Sequence, residues 1–99
     1  MAKFAIAFDL DTDTLSKTYG SNSYNNAYAD IKATLSGYGF SRQQGSVYFG
    51  DENVDAVRTV MATQKLAAKY SWFAPSVRDI RMLRIEDDND LMPAVRGEE

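Results

Sequence analysis

The stretch FSRQQGSVYFG at residues 40–50 decides the fold that this 99-residue chain predicts. Residues 40–44 and 46–50 each favour a short strand, and Gly45 between them suits a tight hairpin or a bulge. As a hairpin, a link this short would make the two strands antiparallel neighbours. They lie in the middle of the chain, and the elements on either side complete the pattern.

The first strand is predicted at residues 3–10, where large apolar side chains alternate with small or polar ones. The side chains form two rows: Phe4, Ile6, Phe8 and Leu10 on one side, and Lys3, Ala5, Ala7 and Asp9 on the other. Helices can cover the first row, whereas the small alanines of the second row suit another sheet that packs closely. Asp9 is thus expected on a face without helices.

An amphipathic helix is predicted over residues 24–38, because apolar residues recur there at spacings of three and four. Gly37 and Gly39 would end it, since glycine accepts the left-handed conformation common at helix C-termini. A short helical turn is expected before it, around residues 14–19.

A second helix is predicted from Asn53, as its cap, to about Tyr70. Pro75 ends any continuation of that helix. The stretch SVRDIRMLRIE at residues 76–86 then predicts the last long strand. A short fifth strand is compatible with residues 91–95, where Pro93 would confine it to a sheet edge.

The order β-α-β-β-α-β is the ferredoxin-like pattern of the α+β class. It predicts a four-stranded antiparallel sheet with two helices on one face, formed by residues 1–86 and followed by an acidic C-terminal extension at residues 87–99. The second face of such a sheet is bare, and an uncovered apolar face needs a partner. We therefore expect a homodimer.

The sequence contains neither cysteine nor histidine. Disulfides, thiolate zinc sites and imidazole-based catalysis are thereby excluded. No apolar run approaches the roughly 20 residues needed to span a bilayer, and residues 1–11 do not fit a secretory signal peptide. A cytoplasmic protein without a membrane partner is the expectation.

The net charge of −3 is distributed unevenly. Because residues 86–99 contain six acidic side chains and one arginine, they carry −5, and residues 1–85 therefore carry +2. A weakly basic body is compatible with a specific phosphate-binding cleft but does not suggest strong nonspecific binding to nucleic acid. The acidic extension itself is typical of a solubilising segment.

Three stretches together, FAIAFDLD at residues 4–11, FSRQQGSVYFG at residues 40–50 and SVRDIRMLRIE at residues 76–86, resemble the virulence-associated protein D family. These small ribonucleases are similar in fold to the CRISPR adaptation nuclease subunit, and the resemblance covers residues 4–91. It implies a homodimeric endoribonuclease that cleaves RNA phosphodiester bonds. It also implies a toxin of a toxin–antitoxin system, with an antitoxin protein as a further partner.

The resemblance assigns Asp9 a catalytic or metal-binding role, with Mg²⁺ as the candidate ion. Asp79 matches a family position too and either joins the catalytic group or pairs with an arginine to order the strand; both interpretations stay open. The guanidinium groups suited to phosphate are those of Arg42, Arg78, Arg81 and Arg84.

Two other functions compete with the nuclease. A non-catalytic, dimeric RNA-binding or protein-binding regulatory module would use the same fold without chemistry. Residues 8–15, FDLDTDTL, also resemble the first motif of haloacid-dehalogenase-like phosphatases, and residues 50–55 match a weak GDxxxD metal pattern. The chain is too short for the parallel sheet of that fold, because each βαβ step needs about 30 residues.

Overall fold

The computed structural model describes residues 3–19 and 24–97. All statements about secondary structure refer to this part of the chain. The elements are β1 (Lys3–Leu10), α1 (Thr12–Thr18), α2 (Asn25–Ser36), β2 (Phe40–Gln44), β3 (Val47–Gly50), α3 (Ala56–Lys69), α4 (Phe73–Ser76), β4 (Val77–Ile85) and α5 (Met92–Val95).

The strands form one antiparallel sheet in the order β2-β3-β1-β4. This arrangement confirms the ferredoxin-like prediction, with β1 in the interior and β4 at an edge. The link between β2 and β3 is a hairpin, and its Gly45 has φ of +45°. Glycine adopts this left-handed conformation without steric cost.

One face of the sheet is covered by the two long helices. Ile6 and Phe8 of β1 share a buried core with Ile31 of α2 and Leu66 of α3. The alternation in β1 and the apolar stripe of α2 create this core, because each presents one continuous apolar surface. Fully burying one such side chain contributes about 1.5–3 kcal/mol.

The other face of the sheet carries no packed helix in the described part of the chain and is called the open face below. Ala5 lies there between two apolar partners, Phe49 on β3 and Leu83 on β4. Ala5 is fully buried, whereas Leu83 keeps 46% of its surface exposed. The open face therefore presents apolar side chains that the protomer covers only in part.

The boundaries of the predicted helices differ from the sequence prediction, and α2 spans Asn25–Ser36 rather than residues 24–38. Helix α3 begins at Ala56, and its cap is Asp55 rather than Asn53, because the Asp55 carboxylate accepts a hydrogen bond from Arg58 N at 2.8 Å. Helix α1 covers two full turns instead of one short turn. It begins at Thr12 because Asp11 caps it.

The C-terminal extension forms a short helix where a fifth strand was compatible with the sequence. Met92–Val95 is helical, with Pro93 in the first turn, where a missing N–H removes no hydrogen bond. The fifth strand is therefore not found in the described residues, and Glu98 and Glu99 of the extension lie outside them. In residues 3–19 and 24–97, no helix is both long and apolar enough to cross a membrane.

Candidate active site on the open face

Two carboxylates face each other at one end of the sheet. Asp9 near the end of β1 is the direct antiparallel partner of Asp79 near the start of β4. Side chains of directly opposite residues lie on the same face with Cβ atoms about 4.5–5.5 Å apart. Both residues are exposed, so the structure places the two carboxylates side by side on the open face.

The guanidinium of Arg81 lies next to this pair. Its Nε donates to both carboxylate oxygens of Asp79, at 3.2 and 3.1 Å. This hydrogen bond, followed by the charge of Asp79, raises the pKa of Arg81. Arg81 is opposite Ala7 on the open face, and its two Nη groups have no acceptor among the described residues, so they can donate to another anion.

Asp9 differs from Asp79 in its contacts. Within residues 3–19 and 24–97, the Asp9 carboxylate accepts no hydrogen bond and forms no ion pair, whereas Asp79 has the Arg81 partner. Like charges directly opposite each other in a sheet are destabilising. The arrangement therefore costs stability and is better explained by what the two carboxylates can bind or activate.

A β-bulge sits beside the two carboxylates. Asp9 pairs with Asp79, but Leu10 pairs with Val77, so Arg78 is an extra residue on β4. Bulges often lie next to active sites, where they redirect a side chain. The pKa of Asp11, at the same end of the sheet, is lowered mainly by the backbone hydrogen bond from Thr14, and the charge of Arg78 lowers it further.

The two remaining arginines predicted for phosphate binding lie elsewhere. Arg84 is opposite Phe4 on the helix-covered side, pairs with Glu86 at 3.0 Å, and is five residues from Asp79, or about 17 Å along the strand. Arg42 is opposite Tyr48 on the same covered side, and its Nε donates to Gly45 O at 2.9 Å. The structure does not bring Arg84 to the carboxylates, and it brings Arg42 to a neighbouring cleft.

Two aspartates of the phosphatase-like motifs accept hydrogen bonds from nearby backbone amides. Asp11 accepts backbone hydrogen bonds from Asp13 N at 3.0 Å and Thr14 N at 3.4 Å and so caps α1. Asp51 accepts one from Asn53 N at 2.8 Å. The described strands pair only antiparallel. Both observations remove the structural basis of the phosphatase alternative.

The metal-binding capacity of one protomer is small. No group of three or more acidic side chains is placed to hold a metal ion in the described ranges. Asp9 and Asp79 nevertheless offer two carboxylates, and Mg²⁺ is often held by one or two while it keeps several waters. The donor set fits a hydrated Mg²⁺ ion but not a fully protein-coordinated cation.

Several cleft-lining side chains outside the carboxylate site were not predicted from the sequence. Asp88, Asn89, Asp90 and Leu91 of the C-terminal extension line a cleft of about 630 Å³ together with Gln43, Gln44 and Phe49. The extension thus returns toward the open face, which its acidic composition alone did not predict. Lys32 and Asn25 on α2 were also missed, although their spacing with Tyr28 places all three on one side of a helix.

The comparisons with known proteins agree on one family. The family model described as CRISPR associated protein Cas2 matches residues 1–92. Endoribonuclease VapD 2 of Riemerella anatipestifer is 50% identical over 92 residues, which are 93% of this chain and 98% of that protein. An Endoribonuclease VapD homolog of Helicobacter pylori is 46% identical over 94% of this chain and 96% of its own length. The Endoribonuclease VapD of Dichelobacter nodosus is 43% identical over 95% and 98%.

Proposed function

The chain belongs to the family that contains the VapD endoribonucleases and the CRISPR associated protein Cas2, and from this premise we propose that it is an endoribonuclease. The relatives whose names describe this activity match nearly its whole length. The single structural observation that supports it most is the exposed pair Asp9 and Asp79 with the guanidinium of Arg81 beside it. In a protein without histidine, a carboxylate can act as the base of phosphodiester cleavage, and a guanidinium can stabilise the charge on the phosphate.

In this mechanism Asp9 is the general base. Its carboxylate has no partner among the described residues, so it can accept the proton of an attacking hydroxyl, either of water or of the ribose 2′-OH. The hydroxyl oxygen then bonds to phosphorus while the bond to the leaving oxygen breaks, and the leaving oxygen takes up a proton from water. The sequence contains no histidine, and a carboxylate is another side chain that can serve as a general base.

Arg81 stabilises the charge on the phosphate. Its Nε is held by Asp79, which leaves the two Nη groups to donate to phosphate oxygens as negative charge develops there. Asp79 therefore positions Arg81 and adds negative charge beside Asp9. Arg78, the bulge residue of β4, supplies a second cation at the same end of the sheet.

A magnesium ion is part of the proposal. Asp9 and Asp79 would hold it, and when bound it would neutralise charge on the scissile phosphate. Because one protomer supplies few ligands, a second protomer that brings its own Asp9 nearby would strengthen the site.

The homodimer is proposed from the open face. Phe49, Leu83 and the buried Ala5 form its apolar centre, and a twofold axis through it would place the same patch on both subunits. As a finer proposal, the enzyme is the toxin of a toxin–antitoxin system, with single-stranded RNA or mRNA in the cytoplasm as substrate and an antitoxin protein as regulator.

Substitution of Asp9 tests the site. We expect Asp9→Asn to lower the rate of RNA cleavage by about 100-fold or more, because removal of a general base typically costs that much. Cleavage of a labelled RNA is measured at saturating substrate, and circular dichroism and urea unfolding verify that the variant folds. Asp87→Asn, the same chemical change at an exposed position in the extension, is the matched control.

Two results would count against the proposal. If Asp9→Asn cleaves RNA as fast as the unmodified protein, the site assignment is wrong. If the unmodified protein binds RNA but produces no cleavage products with or without Mg²⁺, a non-catalytic binding module explains the fold instead.

A further inference from the structure

A second cleft lies between helix α2 and the β2–β3 hairpin, and we call it the α2–hairpin cleft. Its volume is about 260 Å³. It is lined from the helix by Asn25, Tyr28, Ala29 and Lys32, and from the hairpin by Arg42, Gly45 and Tyr48. Cationic, aromatic and amide side chains therefore meet in one concave surface outside the carboxylate pair.

The two cations of this cleft are available to a ligand. Lys32 and Arg42 are both exposed, and neither has an acidic partner in the described part of the chain. The Nε of Arg42 is fixed by Gly45 O at 2.9 Å, so the guanidinium is held in place while its Nη groups stay free of protein acceptors there. A preoriented guanidinium and a nearby ammonium are suited to phosphate oxygens.

Tyr28 provides an aromatic surface in the same cleft as these cations. Its ring packs partly against the core and also lines the cleft. Asn25, Tyr28 and Lys32 are spaced by three and four residues, so they project from the same side of α2. An aromatic ring next to cations is the combination with which proteins bind exposed nucleic-acid bases and their phosphates.

The cleft adjoins the carboxylate site. Phe8 N donates to Ser46 O at 3.1 Å, so Asp9, the next residue, follows the point where β1 meets the hairpin turn. Gly45 of that turn lines the cleft. Burial raises the pKa of Tyr28, and the charges of Tyr24 and Asp9 add to the effect, which places Tyr28 within electrostatic range of the carboxylate.

We propose that the α2–hairpin cleft binds the nucleotide next to the scissile phosphate of single-stranded RNA. The base stacks on Tyr28, and Lys32 and Arg42 contact the adjoining phosphate. The RNA strand then runs from the open face, past the turn at Gly45, to the covered side of the sheet. A base must be unpaired to enter the cleft, so the substrate class is single-stranded RNA. This inference rests on the proposed endoribonuclease function.

The salt dependence of RNA binding tests whether the cations of the cleft contact phosphate. The dissociation constant of a short single-stranded RNA is measured at several KCl concentrations in the Asp9→Asn background, which holds cleavage to a minimum. We expect Lys32→Gln to reduce the slope of log K against log[salt] by about 0.7, the value for one phosphate contact to a single strand. Lys65→Gln, at an exposed position on α3, is the matched control and should leave the slope unchanged.

The stacking surface is tested by a pair of substitutions at one position. Tyr28→Phe retains the ring and should bind RNA within about twofold of the parent, whereas Tyr28→Leu should bind about tenfold more weakly, since stacking on an aromatic side chain contributes that much for one base. In the active protein, Tyr28→Leu and Lys32→Gln should raise KM more than they lower kcat. Urea unfolding verifies that Tyr28→Leu is folded at the assay temperature.

The outcomes separate this inference from the proposed function. If Lys32→Gln and Tyr28→Leu match the Lys65→Gln control in salt slope, affinity and KM, the cleft does not bind RNA, although the nuclease assignment still stands on Asp9. If the unmodified protein fails to cleave RNA, the nuclease assignment falls, and the salt slope still decides whether the cleft binds RNA. Equal binding of single-stranded and fully paired RNA would overturn the stacking role of Tyr28.

Discussion

The two faces of the sheet differ in how completely their apolar side chains are buried and their polar groups are hydrogen-bonded. On the covered face, Ile6 and Phe8 are buried against α2 and α3, and the described residues leave no buried side-chain polar atom without a partner. On the open face, Leu83 is half exposed and the Asp9 carboxylate has no partner in the same part of the chain. The buried core that stabilises the fold therefore lies on the covered face, whereas the carboxylates available for catalysis lie on the open face.

The largest expected effect on stability comes from the covered face. Ile6→Ala removes a side chain that is 1% exposed, so we expect the free energy of unfolding to fall by about 2–5 kcal/mol through lost burial and the resulting cavity. Urea unfolding measures the change. Val60→Ala, on the exposed side of α3, should change it by about 0.5 kcal/mol or less. Equal losses for both variants would contradict the division between the faces.

In contrast to Ile6→Ala, substitution of Asp79 should lower activity more than stability. Asp79→Asn removes the like charge opposite Asp9 and the ionic partner of Arg81. We expect cleavage to slow by about 10- to 100-fold, because Arg81 loses its position, while the free energy of unfolding stays within about 1 kcal/mol. A large loss of stability with unchanged kcat in the folded variant would show that the Asp79–Arg81 pair is structural.

Leu83 tests the assembly proposed for the open face. Because a twofold interface contains each side chain twice, Leu83→Ala should raise the dimer dissociation constant by about tenfold or more. Sedimentation equilibrium measures it. Val57→Ala on the outer surface of α3, where Val57 is 68% exposed, serves as the control. A monomeric unmodified protein at micromolar concentration would disprove the proposed dimer.

The smallest effect concerns Asp11, two residues after Asp9. The backbone hydrogen bond from Thr14 is the main cause that lowers the pKa of Asp11 below 3.8. A lowered pKa in the folded state means that the ionised group stabilises the fold above the unfolded pKa, and that this contribution is lost as pH falls through the folded pKa. Asp11→Asn keeps a capping side chain but removes the charge.

We therefore expect Asp11→Asn to show a smaller loss of stability than the unmodified protein between pH 5 and pH 2. Urea unfolding at several pH values in this range measures the difference. Asp13→Asn, a neighbouring exposed aspartate whose side chain caps nothing among the described residues, is the comparison. Identical pH dependence for the Asp11→Asn variant and the unmodified protein would show that the capping charge contributes nothing.

The sequence predicted the fold class because its periodicities are strong. The alternation in β1 and the stripe of α2 specify which side chains are buried, and Gly45 specifies the hairpin. It also placed Asp9 on the open face, since alternation alone assigns faces. Gly39, with φ of +93°, has the left-handed conformation expected after α2, whereas Gly37, the C-cap of α2, has a right-handed conformation.

The remaining features depend on tertiary packing that one sequence does not reveal. Alternation assigns Asp79 and Arg81 to one face but does not show that Asp79 lies opposite Asp9, because register is set by the packed sheet. The α2–hairpin cleft requires α2 to pack near β2, which no local pattern indicates. Met92–Val95 is helical, although Pro93 is also compatible with a strand at a sheet edge, because proline is common in the first turn of a helix.

Because of the bulge at Arg78, the edge strand β4 should tolerate the loss of one residue. Asp9 and Leu10 are matched by Asp79 and Val77, so the intervening arginine is an insertion that no pairing requires. We expect deletion of Arg78 to leave every other cross-strand partner in place and to remove one positive charge together with the local bend of β4. In this sheet, a cationic group has been added to the edge strand without displacing any residue from the ladder.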